Sequence, residues 1–321
     1  MGQSLRRVER LAHPIDLGLT CGPLTRGSRD PSHRLAPDEL WRAANTPCGP
    51  ATLHARLDAR AARVHLEAWG AGAAWAIEHG PGLVGLLDNE ELSTDHPLVS
   101  RVALEQRGLR MARAGAVIDV ALATVIDQRV TGMEARRSWF GLIRRLGTDA
   151  PGPIALRVPP VAGAIASLDD YDRRRFGLEA RRGAAMVAVA REERRLQRAA
   201  DRGSDVLQRM LLTLPGVGAW TAAMIAHLVC GDADAVPIGD WHLPRLVAYA
   251  LAGEPRGDDT RMLELLAPFA PQRARVVRLL EAAGAGPPRI SPRAEIPDLL
   301  RRELRGERDW RVRRTLRLDR G

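Results

Sequence analysis

The hydrophobic pattern of the chain changes its period near residue 97. Within residues 50–70, apolar residues alternate at 53, 55 and 57, and again at 64, 66 and 68 after a charged turn at 58–60. This alternation predicts an antiparallel hairpin with one buried face. Residues 73–87 form a compact apolar segment that the Gly-Pro-Gly sequence at 80–82 is expected to break, and residues 1–35 show little period. Together these segments predict a small N-terminal α/β lobe.

From about residue 97 onward, apolar residues recur every three or four positions, which is the period of an amphipathic helix. The sequence therefore predicts an α+β fold that is mostly α-helical, with a small antiparallel β lobe at its N-terminus. We place the N-terminal tail and α/β lobe at 1–97, a helical domain at 98–290 and an Arg-rich tail at 291–321. The predicted helices lie at 117–125, 139–146, 161–168, 178–198, 204–213, 219–229, 241–251 and 259–282.

Composition excludes several classes of protein. The net charge is +9 and all 48 basic residues are arginine. The positive charge therefore favours binding to a polyanion. Because the chain has no lysine, it can form neither a lysine Schiff base nor a Walker A phosphate loop. Cys21, Cys48 and Cys230 are too scattered for a disulfide framework or a four-cysteine iron–sulfur site. The chain shows neither a membrane-spanning apolar stretch nor a signal peptide, so we expect a cytoplasmic protein.

Residues 204–230 have the pattern of two helices joined by a tight hairpin. The predicted helices at 204–213 and 219–229 are connected by Leu-Pro-Gly-Val-Gly at 214–218. Gly216 and Gly218 permit positive φ and carry no side chain, so a phosphate can approach the main-chain amides of Gly216, Val217 and Gly218. These amides begin the second helix, where the helix dipole favours an anion. Such a hairpin holds nucleic-acid backbone without reading sequence, although the same motif also serves as a simple turn.

The residues after the hairpin carry a resemblance to a known family. A Gly/Pro-rich loop at 231–244 contains Pro-Ile-Gly-Asp-Trp-His-Leu-Pro at 237–244, with Asp240 just before the next predicted helix. Hairpin, loop and aspartate together resemble the helix-hairpin-helix DNA glycosylase superfamily, in particular its alkyladenine branch, the 3-methyladenine DNA glycosylase II family. Residues 125–132 resemble that family's DNA-facing lip, and 46–53 resemble its β lobe. The resemblance spans roughly residues 15–295.

This resemblance implies a role for Asp240 and the residues around it. Asp240 matches the family's catalytic carboxylate, which stabilises the positive charge that builds on the sugar as the N-glycosidic bond breaks. Trp220 matches a pocket tryptophan that stacks on a flipped base, and Trp241 and Met224 are candidates for the same base pocket. From the residues alone, Asp240 also suits the N-cap of the following helix, and both tryptophans also suit core packing.

The resemblance assigns further residues outside the pocket. Gln128, Arg129 and Thr131 lie in the stretch that matches the DNA-facing lip, and Arg129 stands where relatives carry an apolar wedge that fills the gap left by a flipped base. Arg129 equally suits a surface position beside a phosphate, and Gln128 equally suits a cap of the neighbouring turn. No organic cofactor is expected. The family's hairpin often holds a monovalent cation, Na+ or K+, on main-chain carbonyls, here those of Leu212, Leu214 and Val217.

The expected activity follows from the resemblance and the missing lysine. Bifunctional relatives carry a lysine at the position of Trp220. The sequence therefore implies a monofunctional glycosylase that excises alkylated purines such as 3-methyladenine from duplex DNA in base excision repair. The expected partner is double-stranded DNA with damaged bases, bound by a nucleoid-associated monomer. The alternatives are a non-catalytic DNA-binding or damage-sensing protein, a glycosylase for oxidised or mismatched bases, and a hydrolase of free nucleosides. The tail at 291–321 is expected to be a solvated appendage or a DNA-contacting arm.

Overall fold

A five-stranded antiparallel sheet forms the N-terminal lobe. The structure is a computed structural model that describes residues 4–88 and 92–288. The strands, in chain order, are β1 Leu5–Arg10, β2 His33–Leu35, β3 Glu39–Thr46, β4 Gly49–Asp58 and β5 Arg63–Trp69. Across the sheet they lie in the order β1-β5-β4-β3-β2.

The hairpin predicted at 50–70 is confirmed. β4 and β5 pair antiparallel, with Ala55 opposite Leu66 and Leu53 opposite Ala68. These four side chains are buried, because the alternation of the sequence places them on the face that packs against helix α2, Ala73–Leu83. The period-2 pattern therefore identified both the strands and their buried face.

Helix α2 corrects the prediction that the Gly-Pro-Gly sequence at 80–82 breaks its segment. The helix continues through all three residues, with Pro81 inside it. A Cβ placed on Gly80 would lie 3.0 Å from Cδ1 of Leu66, so this glycine lets the helix approach the sheet closely. Burial against the sheet outweighs the low helix propensity of the three residues.

Residues 1–35, which show little period, contain four of the elements. These are β1, β2, the short helix α1, Leu17–Cys21, and a 3-10 turn at Gly22–Leu24. β1 pairs with β5 along its whole length, yet most of its side chains are exposed. Both faces of β1 are largely exposed, so apolar and polar residues do not alternate along the strand. β1 forms by pairing with a strand far away in the chain, and its own sequence carries no signal for that pairing.

Helices dominate from residue 97 onward, as predicted. A two-stranded sheet, β6 Thr148–Asp149 and β7 Arg157–Val158, interrupts them. The helices are α3 Pro97–Glu105, α4 Val117–Ile126, α5 Gly132–Leu146, α6 Ala162–Ala166, α7 Asp170–Arg175, α8 Ala180–Arg191, α9 Glu193–Asp201, α10 Ser204–Leu211, α11 Ala219–Cys230, α12 Leu243–Ala252, α13 Asp259–Leu266 and α14 Arg273–Ala282.

The prediction of one helix over 259–282 is wrong. α13 ends at Leu266, a 3-10 turn covers Ala267–Phe269, and α14 begins at Arg273. Pro268 and Pro271 lie in the gap between the two helices. A proline has no N–H with which to continue helical hydrogen bonding. The apolar residues therefore keep a helical spacing across this gap, although the backbone there leaves the helix.

Two hydrophobic cores organise the helices. The first joins the sheet to α4, α5 and α8–α11, and every residue of α4 is buried. The second is built from α3 and α12–α14. An ion pair between Asp88, which follows α2, and Arg275 on α14 connects them, with a shortest N–O distance of 2.5 Å. Both side chains are buried, so this pair ties α14 to the first lobe away from solvent.

The described residues up to Gly286 form one compact unit. The predicted Arg-rich tail at 291–321 lies outside the described residues, and the domain boundaries at 97 and 290 stay predictions. Among the helices of the described part, none has both the length and the apolar character needed to cross a membrane.

Candidate active site

The turn between α10 and α11 has the conformation that its sequence predicts. The N–H of Val217 donates to the carbonyl of Leu214 over 3.1 Å, with Pro215 and Gly216 at the two central positions. Gly216 has φ +81°, which position i+2 of a type II turn requires. A Cβ on Gly216 would also lie 2.8 Å from Cβ of Ala185 on α8, so the turn lies too close to α8 for a larger residue.

The start of α11 presents main-chain N–H groups. Gly218 is the N-cap and has no side chain to accept from them; its φ of −103° corrects the expectation of a positive φ there. The N–H of Val217 is occupied within the turn, and the N–H of Ala222 makes the bond to the Gly218 carbonyl. Among the described residues, the N–H groups of 218–220 have no acceptor. Nothing lies within 4 Å of a Cβ placed on Gly218, so this helix terminus is open to an anion.

The carbonyls predicted to hold a monovalent cation surround the same turn. Within the described part of the chain, the carbonyls of Leu212 and Val217 accept no hydrogen bond, and that of Leu214 accepts one from Val217. A carbonyl oxygen has two lone pairs, so all three oxygens keep at least one for a cation. The donor set therefore fits a hard cation of the kind that carbonyl oxygens bind, and the site stays a prediction.

A cavity of about 560 Å³ opens where the two cores meet. Helix α11 contributes Trp220, Met224 and His227 to its wall, and the spacing of four and three residues puts them on one helical face. Helix α14 contributes Arg278 and Glu281. The other lining residues come from the segment at 18–23, the loop and helix start at 235–243, and the rest of α14.

Asp240 lies in this lining with three donors on its carboxylate. Oδ1 accepts the main-chain N–H groups of His242 at 2.7 Å and Leu243 at 2.9 Å, and Oδ2 accepts the indole N–H of Trp220 at 2.8 Å. Asp240 therefore accepts N–H groups at the start of α12, although the N-cap position itself belongs to His242, which makes no side-chain cap bond. The simpler interpretation of Asp240 as the N-cap residue is thus displaced by two positions. An ionised carboxylate has about four lone-pair positions, so one remains on Oδ2. Bonding to the helix start and acting in the cavity are compatible at this residue.

The loop that carries Asp240 is held at both ends. The N–H of Gly239 donates to both carboxylate oxygens of Asp259 at 3.1 Å, and Gly239 has φ +90°, which suits a glycine. Closer to α11, Oδ1 of Asp232 accepts the N–H groups of residues 234 and 235. These contacts fix the path of the chain, so the loop delivers Asp240 to the cavity in a defined position.

Solved structures of other proteins share this fold. A 3-methyladenine DNA-glycosylase from Archaeoglobus fulgidus superposes with a TM-score of 0.72 at 17% identity, covering 86% of this chain and 97% of that one. An 8-oxoguanine glycosylase/lyase from Clostridium acetobutylicum superposes with a TM-score of 0.66 at 13% identity, covering 86% and 95%. The chain has the fold of the helix-hairpin-helix DNA glycosylases. The sequence itself matches no family model and no curated protein.

Within this glycosylase fold, Gln128 lies against the hairpin. Its side-chain amide donates to the carbonyl of Gly216 at 3.0 Å and to the hydroxyl of Thr221 at 2.8 Å. Gln128 therefore braces the turn and the first residues of α11, which is the local role that its sequence position also allowed. Its contact with DNA stays a prediction.

The other two predicted lip residues have different surroundings. Thr131 is the N-cap of α5 and forms a capping box with Glu134, in which the hydroxyl and N–H of Thr131 both bond to the Glu134 carboxylate. Helix capping thus explains this threonine. Arg129 is exposed and has φ +53°, a left-handed conformation that is uncommon away from glycine. It projects from the lip of the glycosylase fold and stays the candidate wedge.

Of the predicted base-pocket residues, Trp220 and Met224 line the cavity, and Trp241 does not. The Trp241 side chain is 89% exposed, so it does not pack in a core either. The physical reason lies in the cap at Asp240. Because the N–H groups of the next two residues, His242 and Leu243, turn back to Oδ1 of Asp240, the intervening tryptophan is directed outward.

The sequence interpretation missed four polar cavity residues: His227, His242, Arg278 and Glu281. The spacing of His227 from Trp220 and Met224 on one face of α11 was a signal that could have found it. Arg278 and Glu281 had no such signal, because α14 is separated from the hairpin by two other helices along the chain. Only the tertiary fold brings α14 to the cavity.

His227 is 7% exposed, and its Nδ1 lies 2.9 Å from the main-chain carbonyl of Asp232. Burial, assisted by the positive charges of Arg278 and Arg275, lowers the pKa of His227 to about 4. The ring is therefore neutral at pH 7. It stands in the cavity as an uncharged group between charged neighbours.

This depressed pKa predicts a loss of stability in mild acid. In the unfolded chain His227 binds a proton near pH 6.5, whereas in the folded chain it does so near pH 4. Its contribution is present above pH 6.5 and is lost as pH falls toward 4, by an amount on the order of 3 kcal/mol. Urea unfolding at pH 7 and pH 4.5 should show a larger loss for wild type than for His227→Asn. Equal losses in the two proteins would contradict the prediction.

Proposed function

We propose that this protein is a monofunctional DNA glycosylase that excises alkylated purines, such as 3-methyladenine, from duplex DNA. The observation that carries the proposal is the position of Asp240. Its carboxylate lies in the wall of a cavity large enough for a base, is oriented by Trp220 and two main-chain N–H groups, and retains a lone pair on Oδ2. A carboxylate held in this way is suited to stabilise positive charge on a sugar.

The proposed mechanism begins with extrusion of the damaged nucleotide into the cavity. As the N-glycosidic bond breaks, positive charge develops on the deoxyribose, and the Asp240 carboxylate stabilises that charge. The remaining lone pair on Oδ2 orients a water for attack at C1′ and accepts its proton. The products are the free base and an abasic site in an intact strand.

Trp220 has two roles in this proposal. Its indole N–H holds Oδ2 of Asp240, and its ring belongs to the cavity wall, where the flipped base would lie. An electron-rich indole face attracts a cationic ring, and alkylation gives a purine nucleotide that character. This preference supports alkylated purines over neutral oxidised ones as the substrates.

The hairpin supplies the contact with DNA backbone. The open N-terminus of α11 offers N–H groups and a favourable dipole to a phosphate, and Gln128 fixes the turn that precedes it. The hairpin leads directly into α11, the helix that carries Trp220 and Met224. A phosphate bound at the hairpin would therefore place the adjoining nucleotide near the cavity, and a hydrolase of free nucleosides would need no such grip.

The absence of lyase activity is proposed from chemistry. Strand cleavage by a bifunctional glycosylase proceeds through a Schiff base on an amine, and the chain contains no lysine. The test is incubation of purified protein with methylated duplex DNA, followed by chromatography of the released bases and electrophoresis of the strands. We expect free 3-methyladenine, with strands that break only after alkali. Strand cleavage at the rate of base release would contradict the monofunctional assignment. Release of 8-oxoguanine from a second duplex that contains it, with no release from methylated DNA, would favour an oxidised-base enzyme.

Trp241 is expected to contribute to DNA binding. Its ring is almost fully exposed one residue from Asp240, and stacking of an aromatic ring on a base contributes about 1–3 kcal/mol. Trp241→Ala should therefore weaken binding to a duplex containing an abasic-site analogue by about 5- to 150-fold, measured by fluorescence anisotropy. Because the ring packs on little, its thermal unfolding should match wild type. Unchanged affinity would remove Trp241 from the DNA interface.

A further inference from the structure

We propose that His227 reads the edge of the flipped base that is remote from the sugar, by accepting a hydrogen bond at Nε2. This inference rests on the proposed function and deepens it. It restricts the substrates to damaged bases that carry an N–H donor on that edge.

The first argument is the arrangement of residues along α11. Trp220 bonds to Asp240 and so marks the sugar end of the cavity, and His227 lies seven residues further along the same helical face. At 1.5 Å per residue the two positions are separated by about 10 Å along the helix axis. Met224 lies between them and lines the same cavity. A base with its glycosidic bond at Asp240 would therefore extend along this face toward His227.

The second argument is the tautomer of His227. Its Nδ1 lies 2.9 Å from the carbonyl oxygen of Asp232, and a carbonyl oxygen can only accept a hydrogen bond. Nδ1 therefore carries the proton of the neutral ring, and Nε2 presents a lone pair. Because burial keeps the ring neutral at pH 7, Nε2 acts as an acceptor under the conditions in which the enzyme would work.

The third argument is that Nε2 lacks a partner. Among the described residues no donor bonds to it, although the residue is more than nine-tenths buried and lines the cavity. The neighbouring Arg278 directs one terminal nitrogen to Glu281 and the other to the carbonyl of Leu19. An unpartnered acceptor on a cavity wall favours a ligand that donates to it and disfavours one that cannot.

These arguments separate damaged purines by the chemistry of their far edge. In 3-methyladenine the exocyclic amino group at position 6 supplies an N–H donor. In 1,N6-ethenoadenine the same nitrogen and its ring neighbour are closed into a second ring, and no N–H remains on that edge. We therefore expect the wild-type enzyme to release 3-methyladenine at least about 10-fold faster than 1,N6-ethenoadenine under single-turnover conditions.

Two substitutions divide the functions of the imidazole. In His227→Asn, the amide nitrogen can replace Nδ1 toward Asp232, but nothing replaces Nε2. In His227→Gln, the longer side chain can place an oxygen acceptor near the position of Nε2. His227→Asn should release 3-methyladenine about 10-fold more slowly, and its preference over 1,N6-ethenoadenine should fall by about the same factor. His227→Gln should keep more of that preference, and both should unfold cooperatively. An Asn variant with the wild-type preference would overturn the proposal.

A second measurement tests His227 without relying on catalysis. Nitrogen-15 NMR of the histidine rings in wild-type protein should show Nε2 of His227 unprotonated. Free 3-methyladenine should shift that resonance, whereas free 1,N6-ethenoadenine should leave it in place. If the protein releases no base from any duplex, the proposed function fails, and the NMR titration still decides the role of His227. If bases are released but the Nε2 resonance responds to neither free base, only the role of His227 fails.

Discussion

Replacing Asp240 with asparagine is expected to lower the rate of base release by about 100-fold or more. The substitution keeps the shape of the side chain and an oxygen that can accept from the N–H groups of His242 and Leu243, so α12 should stay capped. It removes the negative charge that would stabilise the sugar cation. Single-turnover release of 3-methyladenine from duplex DNA, measured at saturating enzyme, reports this step directly.

The matched control for this experiment is Asp170→Asn. Asp170 lies on α7, is exposed and, within the described residues, forms its ion pair with Arg173 one turn away, so the same chemical change there should leave base release at the wild-type rate. Affinity of Asp240→Asn for lesion-containing DNA should remain near that of wild type, because the hairpin is untouched. An Asp240→Asn protein that binds DNA and still releases base at the parent rate would revive the alternative of a non-catalytic aspartate.

Replacing Arg275 with methionine is expected to lower the free energy of unfolding by about 3–5 kcal/mol. Arg275 is 4% exposed and Asp88 is 8% exposed, and the guanidinium makes two hydrogen bonds to the carboxylate. Methionine fills much of the space but leaves the Asp88 carboxylate buried without its counter-charge. The uncompensated charge, rather than lost packing, causes the predicted destabilisation.

An exposed pair provides the comparison for Arg275. Arg261 bonds to Glu254 and Glu264, and its side chain is 39% exposed, so Arg261→Met should lower the free energy of unfolding far less than Arg275→Met does. Urea denaturation of both variants at pH 7 gives the two values. Similar losses for the buried and exposed arginines would show that the Asp88–Arg275 pair does not hold α14 in place. Because α14 carries part of the cavity wall, the Arg275 variant should also lose base release at a lower temperature than wild type.

The hairpin shows how far local sequence can predict a structure. Pro215 and Gly216 occupy the central positions of the turn because a type II turn needs the φ values that these two residues favour. The flanking helices follow from three- and four-residue periods. All these interactions join residues near one another in sequence, so the sequence alone predicted the element and its bounds to within a few residues. It did not predict that Gln128, in the turn that follows α4, braces the hairpin turn.

Asp240 shows a different limit. Its position after the hairpin led to its choice as the catalytic candidate through the family resemblance, and helix capping was an equally physical interpretation. The structure gives the N-cap position to His242, and the two oxygens of Asp240 have different partners: Oδ1 bonds to main-chain N–H groups at the start of α12, and Oδ2 bonds to Trp220 in the cavity wall. Whether Asp240 has one role or two depends on the direction in which each of its carboxylate oxygens points. The amino-acid sequence does not specify that direction.

The amino-acid sequence alone determined the elements whose contacts are local: the β4–β5 hairpin, the helical period after residue 97, the Pro-Gly turn and the aspartate that follows it. Only the tertiary structure decided that α2 continues through its glycines and proline, that Trp241 is directed outward, and that His227 shares a cavity with α14. The physical reason is that exposure and partners at these positions depend on segments far away in the chain. Their arrangement follows from the packing of the whole molecule, which no window of neighbouring residues contains.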